Sequence, residues 1–292
     1  MKDCINSVVN QTYQPDEYII MDDASTDESP VIIKDYENKI PYLKGIYREE
    51  NKGVNYNINQ GFKTAKNDYI MFLASDDIWE PTLIEEYVKS IEKNKDAGMC
   101  TCQTKVLDVE TGEETLMYLP QQIPDGYLNH KQARDYIYKY GTWFCGNTVL
   151  FKRKEAIACG AYQEDLETFA DGYLYLKMAL KYGVITVKKP LSTLRSHINT
   201  YSSEIKRDLK KLEEIKIAAL IYMRNNNDFD EVFINRWESR WKYQYFLAVI
   251  AKNTKFLPQP IRWFSERLGF IYYCWFDVKL QFLTKIKNFS TH

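Results

Sequence analysis

Residues 18–27 read YIIMDDASTD, and residues 68–79 read DYIMFLASDDIW. Each is a short apolar run that breaks off into paired aspartates, Asp22-Asp23 in the first and Asp76-Asp77 in the second. Four or five consecutive apolar residues bounded by turn formers read as a buried strand. Both stretches are set among helical patterns. Ile5, Val8 and Val9 recur at helical spacing before the first. After it, Thr26 or Asp27 can cap a helix that starts near Pro30 and carries Val31, Ile32, Ile33 and Tyr36. Residues 43–47 read as a further strand, and the Asn51-Lys52-Gly53 turn opens a helix over 55–65. Pro81 starts another helix, with Leu83, Ile84, Tyr87 and Val88 on its apolar face. Strands alternating with helices of this length predict an α/β fold with a mostly parallel sheet flanked by helices. In such sheets ligands sit beyond the carboxyl ends of the strands. Both aspartate pairs fall at that edge.

Further along, residues 99–106 and 114–118 can form a hairpin across Thr111-Gly112. Residues 130–140 and 172–182 read as helices, and 148–152 and 191–194 as strands. Beyond Ser203 the pattern is helical, with a break at Pro258-Gln259-Pro260. Two domains are therefore expected, 1–204 and a helical extension over 205–292.

The chain has 292 residues and a formal net charge of −1, which conceals an asymmetry. Residues 205–292 hold 16 Lys+Arg against 9 Asp+Glu, and the remainder 23 against 31. An acidic body argues against nucleic-acid binding. The basic extension mixes Trp237, Trp241, Tyr245, Trp263 and Trp275 with Arg236, Arg240, Arg262 and Arg267. Aromatics among cations suit either a membrane interface or a helical pair packed on the body. No apolar run reaches the length of a membrane span, so the expected location is cytoplasmic, with peripheral attachment to the inner face of a membrane. Six scattered cysteines give no disulfide framework. Cys100 and Cys102 fall on one face of a strand, as packed thiols rather than a zinc site.

Paired aspartates on a turn beyond an apolar strand offer the minimal ligand set for a hard cation that shares its shell with phosphate and water. Such pairs also occur as solvated turns, so the surroundings decide. Asn10-Gln11-Thr12-Tyr13, residues 18–27, residues 50–54 (ENKGV), Asn59-Gln60-Gly61 and residues 68–79 occur in that order. This series resembles the nucleotide-binding half of family-2 glycosyltransferases, which have the GT-A fold, and the likeness extends to about residue 200. It implies that Asp23 hydrogen-bonds the nucleotide base. It also implies that Asp76 and Asp77 contact the ribose and a Mn²⁺ or Mg²⁺ ion, with either able to make the metal bond. Residues 146–151 (GNTVLF), Gly160-Ala161-Tyr162 and residues 169–174 (FADGYL) resemble the acceptor side of the same family. There Asp171 matches the general base of inverting members, which takes the acceptor hydroxyl's proton. Asp at a helix start also caps it, so cap and base are both open readings. Arg195 and His197 match an Arg-x-His step that meets the donor diphosphate or metal.

The resemblance thus implies an inverting, metal-dependent hexosyltransferase-like enzyme. Its donor is a nucleotide-sugar, a UDP-sugar in the first instance, and its acceptor a glycan or lipid-linked sugar in cell-surface polysaccharide synthesis. The alternative is a catalytically inactive nucleotide-sugar-binding relative. A Rossmann-type dinucleotide binder is excluded, because no G-x-G-x-x-G follows a strand. Four features depart from the family pattern. Ala74 and Ala170 replace common acids, and Ile58 replaces a common Arg. The sequence also opens inside the first helix, without the strand that usually precedes it. The expectation is a misassigned start or a truncated copy.

Overall fold

The computed structural model describes residues 1–118, 123–196, 205 and 208–254. The chain divides into two compact units, Met1–Ile198 and Asn199–His292. In the first, helix α1 (Lys2–Val9) leads to strand β1 (Tyr18–Asp22), then α2 (Ser29–Lys39), β2 (Leu43–Tyr47), α3 (Val54–Thr64) and β3 (Tyr69–Met71). Next come β4 (Ile78–Trp79), α4 (Leu83–Lys93), β5 (Met99–Asp108), β6 (Glu114–Leu116), β7 (Gly126–Leu128) and α5 (His130–Tyr140). Strand β8 (Leu150–Lys152), α6 (Arg153–Ala158), α7 (Ala170–Tyr182) and β9 (Val184–Ser196) complete it. The expected helix boundaries fall within two residues of these. The α5 span agrees at both ends: Asn129 and Gln132 form a capping box at its start, and Gly141 at φ 90 ends it, both signals carried in local sequence.

The two longest ladders are parallel, and the antiparallel ones are shorter. Strands β1 and β2 pair in parallel as a two-stranded sheet. The larger sheet runs β3-β8-β5-β9-β4, with β6 on β5 and β7 on β9. Within it only β5–β9 is parallel; β3–β8, β5–β8, β4–β9, β5–β6 and β7–β9 are antiparallel. Alternation of helix and strand holds only for the first hundred residues. Among the strands that follow, β5 and β6 join through the Thr111-Gly112 turn, with Gly112 at φ 73, and a short connection yields an antiparallel pair. The other antiparallel pairs join strands far apart in sequence.

Strand β9 decides where the site forms. It pairs with β5 in register up to Cys102↔Val187, then slips so that Gln103 faces Pro190 and Thr104 faces Ser192. Proline cannot donate to the ladder, and a bulge re-aims the strand beyond it. The re-aimed half takes up β4 through Ile78↔Thr193 and Trp79↔Ser192, and carries Arg195 to the sheet's acidic edge. Beneath it Trp79, Leu83, Tyr87, Cys100, Cys102, Leu150, Ile185 and Leu191 form one buried cluster. Both thiols are packed there, and burial pushes Cys102 up to about 12 and Cys100 well above its ordinary value.

In the second unit α8 (Leu209–Arg224) and α9 (Glu231–Thr254) form a helical pair. Asp208 caps α8 by accepting from the amides of Lys210 and Lys211. Ile215, Ala219, Leu220, Met223, Phe229, Phe233 and Ile234 are buried there. Among the described residues no helix is long and apolar enough to cross a membrane. The break at 258–260 and the aromatics from Trp263 onward lie outside the described residues.

Candidate active site

Three clusters carry the candidate residues. The first is built on Asp23, directly after β1. One carboxylate oxygen accepts from the Lys52 amide at 3.0 Å, the other from the Gly53 amide at 2.8 Å. Gly53 has φ 86, a conformation that a side chain would strain, and it starts α3. The Arg48 guanidinium lies 3.9 Å from Asp23, donates to Asn57 at 2.5 Å and stacks over Tyr56. Burial would raise the Asp23 carboxyl, but the Lys52 and Gly53 amides, Asn57 and Arg48 outweigh it and hold the group below the ordinary carboxylate range. An open depression lined by Tyr47, Arg48, Glu49, Glu50 and Lys52 adjoins this acid. Arg48, which the sequence reading passed over, is therefore a charged wall of the site. Ala24, just after Asp23, sits at φ 62, a strained turn at the strand end.

The second cluster is the turn from Ala74 to Asp77, where the Asp77 amide bonds the Ala74 carbonyl at 3.1 Å. The two aspartates differ. Asp77 is buried, and each of its oxygens is engaged: Oδ1 accepts from the Arg195 amide at 3.0 Å, and Oδ2 from Asn147 Nδ2 at 2.9 Å. Burial pushes its carboxyl up to about 6, with the Asp76 charge adding to the rise, while the Arg195 amide, Asn147 and the Arg195 charge act against it. Asp76 is half-buried, and its carboxylate takes no hydrogen bond from any described residue. Its carbonyl is held by Arg195 Nε, and Arg195 also pairs with Asp3 at 3.2 Å. Among the described residues no group of three acids, thiols or imidazoles is assembled to hold a metal. One or two carboxylates with an open side is a donor set that binds Mg²⁺ or Mn²⁺ together with phosphate oxygens, so the residues present fit such an ion. His197 lies outside the described residues.

The third cluster is the segment from Cys145 to Thr148, pinned from below. Trp79 Nε1 donates to the Asn147 carbonyl at 2.7 Å, the Tyr87 hydroxyl to the Thr148 carbonyl at 2.6 Å, and Thr101 and Thr148 share a hydrogen bond at 2.8 Å. Next to Asn147, a Cβ built on Gly146 would stand 3.4 Å from Asp171 Oδ2 and 3.7 Å from the Tyr175 hydroxyl. Asp77 and Asp171, separated by ninety-three intervening positions in sequence, thus border neighbouring residues of one short segment. Asp171 is not the cap of α7. Phe169 occupies that position without a side-chain bond, and Asp171 lies inside the first turn, accepting from the Gly172 amide at 2.5 Å. Burial, helped by the Asp171 charge, raises Tyr118 to about 12 and Tyr175 well above its ordinary value, so the acid lies among neutral phenols.

Asparagines hold the loop that leads to Asp171. Asn59 exchanges two hydrogen bonds with the Tyr162 backbone, at 2.9 and 3.0 Å, and Asn55 donates to the Glu167 carbonyl at 2.9 Å. Ala161 and Glu167 both have positive φ, Glu167 at φ 47 and ψ −119. Asn147, Asn55 and Asn59 were not singled out as site residues from sequence. Asparagine is common in ordinary turns, and nothing local marks a partner about a hundred positions away.

The family-model comparison matches glycosyl transferase family 2 over residues 1–157, more than half of the chain. The chain belongs to this family. Among relatives, EpsH of Bacillus subtilis, named as a glycosyltransferase, is 27% identical over 241 residues, covering 79% of this chain and 67% of EpsH. TuaG of the same organism, named for teichuronic acid biosynthesis, is 28% identical over 123 residues, covering 42% of this chain and 49% of TuaG. Two Rickettsia glycosyltransferases are matched over only 33% of their length. Among solved structures, Staphylococcus aureus TarS with UDP-GlcNAc superposes with TM-score 0.60 at 17% identity, over 85% of this chain and 75% of that one. The mannosyltransferase PcManGT of Pyrobaculum calidifontis, with GDP-Man and Mn²⁺, gives TM-score 0.60 at 15% identity, over 95% and 82%. These likenesses establish the GT-A fold.

Proposed function

We propose that this glycosyltransferase moves a sugar from a nucleoside-diphosphate donor to a hydroxyl of a glycan or lipid-linked sugar, with inversion, in cell-surface polysaccharide synthesis. The observation that carries the reading is the shared segment. Gly146 adjoins the Asp171 carboxylate and Asn147 holds Asp77, so both acids border one short segment. In a single displacement the acceptor oxygen bonds the anomeric carbon as the bond to the diphosphate oxygen breaks. The two partners must lie on opposite sides of the sugar. Asp171 takes the hydroxyl proton, and the nucleoside diphosphate leaves with the bonding pair. Asp23 and Arg48 form the base end of the donor site. Arg195 and, by motif order alone, His197 are assigned to the diphosphate, and Asp76 with Asp77 to the cation position. A Mn²⁺ or Mg²⁺ ion bound there would neutralise charge on the leaving diphosphate. Relatives and fold neighbours support the donor class: TarS holds UDP-GlcNAc and PcManGT holds GDP-Man with Mn²⁺. TuaG, by name, supports the polysaccharide setting. The basic extension supports a peripheral membrane position, which co-sedimentation with anionic vesicles, reversed by salt, would test.

The test of the reaction is donor turnover. The full chain, given UDP-GlcNAc or GDP-Man, Mn²⁺ and a panel of glycan acceptors, should release nucleoside diphosphate only when an acceptor is present. Nucleotide binding without release in any combination would instead indicate a nucleotide-sugar binder without activity.

A further inference from the structure

We infer that Asn147 is a positioning residue, which with Asp77 forms a buried lock between the donor turn and the acceptor segment and leaves Asp76 as the carboxylate offered to the cation. The inference rests on the reading of this edge as the donor site, and it divides the work of two adjacent aspartates that sequence treats alike. Asp77 is 5% exposed and Asn147 is 5% exposed. Each Asp77 oxygen already accepts one hydrogen bond, from Asn147 Nδ2 and from the Arg195 amide. Asn147 is itself oriented: its Oδ1 accepts from the Cys145 thiol at 3.0 Å, which turns Nδ2 toward Asp77, and its carbonyl accepts from Trp79 Nε1 at 2.7 Å. A buried carboxylate with both oxygens engaged is a strut. Asp76 has the opposite character. Its backbone carbonyl is fixed by Arg195, and its side chain takes no hydrogen bond from any described residue. The lock therefore sets the position of the Asp76 backbone from both sides, Arg195 on one and Asn147 on the other. Because Gly146 adjoins Asp171, the same segment also sets the distance across which acceptor and donor meet.

A role through another residue predicts rescue by exchange of partners. In Asp77→Asn combined with Asn147→Asp, the amide introduced at position 77 donates to the carboxylate introduced at position 147. The oxygen of that same amide still accepts from the Arg195 backbone. The lock is rebuilt, with its charge on the other side. Two measurements on the full chain separate the possibilities: exchange of the Arg195 amide hydrogen in the ligand-free protein, and Mn²⁺ binding in the presence of UDP, read from loss of the free-Mn²⁺ electron paramagnetic signal. Asn147→Ala should speed Arg195 amide exchange and weaken Mn²⁺–UDP binding about ten- to a hundredfold, the loss expected for one charged hydrogen bond. The double exchange should bring both back close to wild type. Asn147→Ser serves if the alanine variant does not fold. Arg195 protection unchanged in Asn147→Ala overturns the lock. Amide protection regained in the double variant without Mn²⁺ binding also overturns the inference, because Asp77 is then a ligand in its own right. A wild-type chain that binds no Mn²⁺–UDP defeats the donor-site reading instead, and the exchange rates still judge the lock.

Discussion

The proposed donor side and the proposed acceptor side of this site are built by different means. Asp23 directly follows β1, so the chain direction itself delivers it to the sheet edge, and Asp76 lies in the turn between β3 and β4, where Arg195 holds its carbonyl. Asp171 is delivered by a loop whose backbone is strained at Ala161 and Glu167 and is held from a distance by Asn59 and Asn55. A residue directly after a strand is aimed by that strand, and the Lys52 and Gly53 amides then hold Asp23 in place. A loop that spans residues 160–169 has no ladder to fix its conformation. The contrast teaches that the Asp23 end of the site should tolerate change in its surroundings better than the Asp76 turn or the acceptor half, and each expectation tests that difference.

The largest effect should come from the acceptor side. Asp171→Asn is close to isosteric and should lower transfer about 10²–10⁴-fold, the usual cost of removing a general base, while nucleotide affinity stays nearly unchanged. Steady-state turnover against calorimetric UDP binding checks both halves. Survival of activity in this variant would remove Asp171 as the base.

The two donor-side acids should separate by pH. Burial raises the folded-state Asp77 carboxyl from 3.8 to about 6, against the opposing Arg195 contacts. Between about pH 4 and pH 6 the unfolded chain has released this proton while the folded chain keeps it, so stability falls as pH rises through that window and levels above it. The contribution is at most about 3 kcal/mol. Asp23 is depressed, so its contribution is present above the ordinary carboxylate range and is lost as pH falls through its lower folded value. Urea titrations from pH 3.5 to 7.5 should show the falling limb in wild type and its loss in Asp77→Asn. A limb that persists in the variant would assign it to another group.

Asp23→Ala tests whether the Asp23 end is as robust as proposed. It removes the acceptor for the Lys52 and Gly53 amides and the group expected to read the base. Nucleotide affinity should fall about ten- to a hundredfold, one charge-assisted hydrogen bond. Wild type that holds uridine and adenosine diphosphates equally would limit Asp23 to anchoring the loop.

The smallest effect sharpens the comparison most directly. Glu167 at φ 47 is in a region that favours glycine, so Glu167→Gly should stabilise the chain by about 1 kcal/mol, while Asn55→Ala, which frees the Glu167 carbonyl, should destabilise by a similar amount. Thermal unfolding reads both. Equal melting temperatures across the three proteins would mean that the loop is held by other contacts.

Sequence alone determined the α/β class, the family, most helix spans and the strand-end acids, because each is written in short-range signals: periodicity, caps, and apolar runs broken by Asp. It singled out Asp171 through a resemblance in motif order. Beyond the β5–β6 hairpin the antiparallel ladders were not legible, because alternation of elements leaves pairing open, and the bulge at Pro190 that re-aims β9 depends on a partner strand some ninety residues earlier. Nor could sequence tell Asp76 from Asp77. They are chemically identical neighbours, and only the fold buries one against Asn147 and Arg195 and leaves the other's carboxylate without a hydrogen bond from any described residue. Hydrogen bonds between residues 70 to 118 positions apart leave no periodic trace, so the partners that decide an acid's role emerge only when the chain is folded.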